Sequence, residues 1–422
     1  MRTLTRARPA RWRLVAVTAA TTLGAVGLAT PGAWADPLAA YPAVASGPDR
    51  TAPVAAAAEG ATLVVATTGD DGNPGTPARP LGTLQRAVDL AQPGTTISVR
   101  GGTYRLARNV QILKSGQAGK PITLTAYQNE VVTVDGESLP ASHTPVGGSV
   151  PRPERGAIHM EASYWKIVGL RITRGPYGLY CSGCNNNVFE RLVTYDNYES
   201  GLQLQGASAN NQIINLDSYL NHDPRKNGES ADGLAIKEGA GTGNVVRGAR
   251  LWNNVDDGFD AWKFTSPITI EASVAWGNGV NRWNFPNFAG DGNGFKMGGG
   301  GPAANHTVRN SIAFDNAVGG FIDNGNEGSL TIANNTAWRN GGTGFDFADS
   351  TSTLTGNLSV ANRTAVKAGS SRASGNSWNL PGPWTLASTD PAKITGARGA
   401  GGAIVTSPFL RPANGAAVGA RI

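Results

Sequence analysis

The sequence predicts an all-β fold, a right-handed parallel β-helix (solenoid) with an N-terminal capping helix, and three observations predict it. The first is a repeat. An Asn followed four residues later by Gly recurs as Asn197/Gly201, Asn254/Gly258, Asn316/Gly320 and Asn340/Gly344, with Asn362 opening a worn copy. Two residues before each Asn stands a large apolar residue, Tyr195, Trp252, Phe314, Trp338 or Val360, and Tyr219 and Trp276 extend the series ahead of Asn221 and Asn278. The second is the interval. Gly178, Gly201, Gly233, Gly258, Gly294, Gly320 and Gly344 are separated by 23, 32, 25, 36, 26 and 24 residues. A unit of roughly 22 to 26 residues belongs to a solenoid, where no coil buries its apolar face alone. The third is the pattern inside the unit. Segments such as "GLQLQ" and "NHTVRNSIAFDN" alternate with period two and lack a helical period, which excludes helical arrays, and a propeller blade needs about 40 residues or more.

Taken in order, the chain opens with five arginines ahead of an apolar run from Leu14, closed by Ala33, Trp34 and Ala35. This is the pattern of a secretory signal, residues 1–35, and it predicts a secreted protein. The chain carries 36 Lys plus Arg against 30 Asp plus Glu. Without the five signal arginines the balance is 31 to 30, which gives no support to a nucleic-acid partner. No later run is apolar enough to span a membrane, and a monomer is expected. Residues 36–60, rich in Ala, Pro and Gly, read as a linker or pro-segment.

Residues 61–422 then form one β-helix domain. It begins with a strand near Ala61 and a Gly/Asp/Pro turn region. A helix follows from about Thr83 to Ala91, with Leu84, Ala87, Val88 and Ala91 on one face, placed to cap the open end of the solenoid. "TTISVRGGTYRL", "KPITLTAYQNEVVTVDG" and "YWKIVGLRITRG" open the coils. In the coils proper, Leu179, Leu202, Leu234, Phe259, Phe295, Phe321 and Phe345 follow the repeat Gly and point inward, while the next residue points outward. The Asn column is either an amide ladder bonded from coil to coil or a set of turn formers tolerating left-handed backbone. Cys181 and Cys184 are either a local disulfide or two small buried residues; two ligands do not make a zinc site. The Pro- and Gly-rich tail after the last repeat wraps the end or flank of the solenoid.

Residues at equal phase on stacked coils lie about 4.8 Å apart, and this brings distant charges together. The column two residues after the repeat Gly reads Tyr180, Gln203, Ala235, Asp260, Lys296, Ile322 and Asp346; the column one residue before it contains Ser200, Asp232, Asp257 and Asn293. Asp232, Asp256, Asp257 and Asp260 therefore converge, with Lys296 one coil beyond Asp260. The two long intervals carry insertions, "HDPRKNGESA" before Asp232 and "GVNRWNFPNFAGD" before Lys296. They are expected to wall a cleft, with Arg225, Lys226, Arg282 and also Lys237 as candidate contacts to substrate carboxylates, and Trp283 and Phe285 as sugar-stacking rings. Each of these also reads as an ordinary loop charge or loop-packing ring.

The segments "VATTGDDGNPGTPARPLGTLQRAVDLAQPGTTISVRGGTY", "NHDPRKNGESADGLAIKEGAGTGNVVRGARLWNNVDDGFDAW" and "GDGNGFKMGGGG" together resemble polysaccharide lyase family 9, whose members are pectate and exopolygalacturonate lyases. That resemblance implies a primary calcium held by Asp232, Asp256, Asp257 and Asp260, a catalytic base at Lys296, and an acidic polysaccharide such as polygalacturonate as partner. Elementary chemistry makes the same demand. Eliminative cleavage removes the proton at carbon five of a 4-linked uronate, and a hard cation with oxygen ligands stabilises the charge that develops. No His lies in register to favour a transition metal; His222 sits in a loop outside the columns. Rival readings are a glycoside hydrolase using carboxylates alone, a lyase for another uronan such as alginate, and a non-catalytic calcium-binding wall or surface solenoid.

Overall fold

The computed structural model describes residues 56–422. The expected signal, residues 1–35, and residues 36–55 of the linker lie outside them. The described chain winds as a parallel β-helix: short strands pair with their equivalents one coil away, forming three parallel sheets of twelve, ten and ten strands. Strands two to seven residues long suffice because all but the terminal strands of each sheet are bonded on both sides. Most of their free energy comes from the inward column. Leu179, Leu202, Leu234, Phe259, Phe295, Phe321 and Phe345 are all fully buried, and the last three stack ring on ring at 4.9 and 5.1 Å.

The Asn column is a hydrogen-bonded ladder. Asn197, Asn221, Asn254, Asn278, Asn316 and Asn340 each donate a backbone N–H and a side-chain amide to the Oδ1 of the next Asn, at 2.8 to 3.3 Å, ending on Asn362. The left-handed backbone falls one residue earlier, on Asp196, Leu220, Asn253, Gly277, Asp315, Arg339 and Ala361, all with φ between 52° and 64°. At Leu220, Arg339 and Ala361 the ladder amide thus holds in place a turn that these residues rarely adopt unaided. A second ladder, through Asn187, Asn211 and Asn244, and a third, through Asn335, Asn357 and Asn376, brace other corners of the coil.

The helix Leu84–Leu90 is capped by Thr83, whose hydroxyl accepts from the Arg86 N–H, and buries Leu84, Ala87, Val88 and Leu90 against the first strands. At the other end the Trp378 ring packs on Phe345 at 5.3 Å, covering the last ring of the inward stack. The tail packs on the flank: Ile394, Phe409, Leu410 and Ala420 form a cluster with Val274, Ile312, Phe314 and Trp338 on the outside of the third sheet. Cys181 and Cys184 are joined as a disulfide. Among the described residues no helix is long and apolar enough to cross a membrane.

Candidate active site

The outward column of the second sheet has the register that the repeat predicts. Tyr180, Gln203, Ala235, Asp260, Lys296, Ile322 and Asp346 are successive Cα partners. One residue before the glycines, the Gly233 N–H donates to the Asp257 carbonyl at 3.0 Å, so Asp232 and Asp257 stand on neighbouring coils. The glycines beside them are steric necessities: a Cβ on Gly258 would lie 2.6 Å from the Gly294 carbonyl oxygen and 2.9 Å from the Ala275 Cβ.

Asp232, Asp256 and Asp257 each offer an oxygen within 4.8 Å of the others, and all three are buried. Asp256 Oδ1 accepts from the Asp291 N–H at 2.6 Å, and Asp257 Oδ1 accepts from the Asn293 N–H and side-chain amide at 2.6 and 2.9 Å. Asp260 lies slightly apart, accepting from the Trp262 N–H at 3.0 Å and from Lys237 at 3.3 Å. Lys237 also donates to Asp232 at 2.8 Å. Lys296 donates to Asp291 at 2.7 Å, and its Nζ lies 3.1 Å from Asp257 Oδ2 and 3.9 Å from Asp260 Oδ1. The 3.1 Å approach is not aligned as a hydrogen bond, and both Asp257 Oδ2 and Asp232 Oδ1 are buried without a hydrogen-bond donor.

Burial pushes these carboxyls up, and their mutual repulsion adds to it: Asp232 to about 7, Asp257 to about 6, and Asp256 well above the ordinary range. For the two lysines burial works in the lowering direction, but the carboxylates outweigh it. Asp232 and Asp260 raise Lys237, while Asp257, Asp260, Asp256 and Asp291 raise Lys296. The donor set fits a hard divalent cation: it is all oxygen, it is buried, and two of its oxygens have no donor.

Above this cluster opens a cavity of about 550 Å³. Arg225, Lys226, Glu229 and Ser230 of the first insertion and Ala289 and Asp291 of the second line it, together with Lys237, Asp260 and Lys296. Arg225 is paired with the buried Glu199. Arg282 is not at the cavity. Its guanidinium donates to Asn253 Oδ1 at 2.8 Å on the corner of the coil, drawn there because its loop folds back over the Asn turn. Trp283 stacks on His222 at 5.1 Å and Phe285 lies 6.3 Å from Trp283, so these rings also pack away from the cavity.

Among the lining residues that sequence reasoning did not single out are Arg155, Glu199, Trp262 and Asp291. Trp262 and Asp291 stand two residues after Asp260 and two before Asn293, close enough to the repeat columns to have been found. Glu199 was equally within reach, two residues before Gly201 at the phase Asp256 holds before Gly258, whereas Arg155 gave no such signal because a loop supplies it.

A family profile described as Pel9A-like, right handed beta helix region, matches residues 63–365. Pectate lyase PEL9 of Emericella nidulans is 47% identical over 387 residues, covering 85% of this chain and 94% of that protein. The crystal structure of pectate lyase Pel9A superposes with a TM-score of 0.75 at 32% identity, covering 84% of this chain and 89% of the other. A rhamnogalacturonan lyase structure gives a TM-score of 0.73 at 26% identity, covering 85% of this chain and 99% of the other.

Proposed function

The chain belongs to the Pel9A-like right-handed β-helix family and is a polysaccharide lyase, and we propose that it is a secreted, calcium-dependent pectate lyase that cleaves 4-linked galacturonan by β-elimination. The observation that carries this reading is the burial of one amine, Lys296, against a cluster of carboxylates at the floor of an open polar cavity.

Asp232, Asp256, Asp257 and Asp260 would hold the calcium ion. When bound, the ion would bind the uronate carboxylate, offset the charge that builds on it, and take up the carboxylate charge that otherwise keeps Lys296 protonated. Lys296 then serves as the base for the proton at carbon five. Asp291, hydrogen-bonded to Lys296, orients the amine. Arg225 and Lys237 line the same cavity and meet carboxylates of the polymer, whereas Arg282 lies too far along the corner to join them. Residues 1–35 act as the export signal in this reading.

The test is the ultraviolet absorbance of unsaturated uronate product on polygalacturonate, with calcium, with chelator, and with Lys296→Ala. Absorbance that rises undiminished in chelator, or within about tenfold of the parental rate in the variant, overturns the mechanism. The similarity to a rhamnogalacturonan lyase favours a second substrate reading. Faster product release from rhamnogalacturonan than from polygalacturonate would select it.

A further inference from the structure

The third sheet carries an outward column that runs Arg105, Asp135, Thr173, Tyr195, Tyr219, Trp252, Trp276 and Phe314 in direct register. From Tyr195 to Phe314 the rings stack face to face at 5.3, 4.3, 4.9 and 5.6 Å, with interplanar angles of 2° to 15°. The stack stops at Tyr195 because the next position holds Thr173. Beyond it, Arg174 clamps Asp135, with Nε donating to Oδ1 at 3.1 Å. The missing ring leaves a cavity of about 320 Å³ lined by Tyr195, Thr173, Asp135, Arg174, Arg105 and Asp196. Thr173 is 3% exposed and its hydroxyl has no hydrogen-bond partner. Arg105 is exposed and, among the described residues, makes no ion pair.

We propose that this slot is a second saccharide site, on a different sheet from the acidic cavity, that takes one pyranose ring of a uronic-acid polymer. The sugar stands in the place of the next aromatic ring, with its apolar face on Tyr195. Thr173 is the small floor that leaves room for the ring, and Arg174, its side chain 42% exposed, offers guanidinium donors at the far wall. Arg105 meets the ring-borne carboxylate. The choice of a uronic acid rests on the proposed function; the slot itself does not.

The experiment is calorimetric titration of the full chain with tetragalacturonate, in a Lys296→Ala background to suppress turnover. Two binding events are expected. Thr173→Trp, which fills the slot with a ring continuing the stack, should remove one of them. Tyr195→Ala should weaken the same event by about tenfold, while Tyr195→Phe retains it and shows that the fold tolerates change here. In the otherwise native chain, Thr173→Trp should leave turnover of short oligogalacturonates unchanged. A titration that neither Thr173→Trp nor Tyr195→Ala alters overturns the proposal. A chain that forms no unsaturated product yet loses a binding event with Thr173→Trp keeps the slot and fells the lyase reading. Product formation with an unaltered titration does the reverse.

Discussion

Asp260 and Lys296 are direct register partners on neighbouring strands, yet Lys296 reaches past Asp260, at 3.9 Å, to lie 3.1 Å from Asp257. The amine is therefore committed to the carboxylate cluster as a whole. A base in that position contributes about 10²–10⁴-fold to rate. Lys296→Ala should lower kcat by that factor while the circular dichroism spectrum stays that of the parent. A loss below tenfold would show that another group takes the proton.

Calcium should act on stability as well as on rate. A ligand that binds only the folded chain stabilises it by about 2.7 kcal/mol at a hundredfold excess over Kd. Thermal unfolding should move upward with calcium concentration, and Asp256→Asn should blunt the response. An unfolding midpoint indifferent to calcium would count against a site among these acids.

The sign of the pH dependence without metal follows from the raised carboxyls. A carboxyl whose folded pKa exceeds its unfolded one contributes stability that is full below the unfolded value of 3.8 and lost as pH rises through the folded value, about 6 for Asp257 and about 7 for Asp232. In chelator these carboxyls pull stability down between about pH 4 and pH 7, while His306, held down to about 4 by burial, pulls it up over part of the same range. Asp256→Asn should flatten that slope. Unfolding midpoints of the parent and of Asp256→Asn, compared across this range, would refute the reading if the parent lost no more stability with rising pH than the variant.

How much of this was legible beforehand depends on whether a residue sits on a strand or a loop. The columns holding Asp232, Asp257, Asp260 and Lys296 follow from coil length and period-two alternation, so counting residues places them. The loop residues do not obey the count. Arg225 and Arg282 lie in insertions of similar phase, but Arg225 turns inward to the buried Glu199 whereas Arg282 turns to Asn253. The aromatic column two residues before each Asn was visible as a repeat. Its position on the outside of the third sheet, and its interruption at Thr173, depended on a register that begins upstream of the recognisable copies.

The Asn ladder makes a separate claim about stability. Asn278 Oδ1 accepts from the Asn254 backbone and side chain, and its amide donates to the Leu251 carbonyl and to Asn316. Asn278→Ala leaves several buried polar groups unpaired, each worth about 1–3 kcal/mol. The loss should reach about 3 kcal/mol or more in urea unfolding. Asn379, near the solenoid's end and accepting only from Asn376, should be far more tolerant of the same change.

Arg225 separates a structural from a substrate role. It lines the acidic cavity, but its guanidinium is paired with Glu199, which is 3% exposed. Removing one partner of a buried pair leaves an uncompensated charge and costs about 3–5 kcal/mol. Arg225→Ala should therefore destabilise the fold by that amount, and Glu199→Gln added to it should recover much of the loss, because the directly paired charge is then gone and only Asp223, 3.9 Å from Arg225, stays buried nearby. If Arg225 also holds polymer, the double variant, with much of its stability restored, should still show a raised KM on polygalacturonate with kcat little changed. A double variant with parental KM would make Arg225 a wall of the cavity and nothing more.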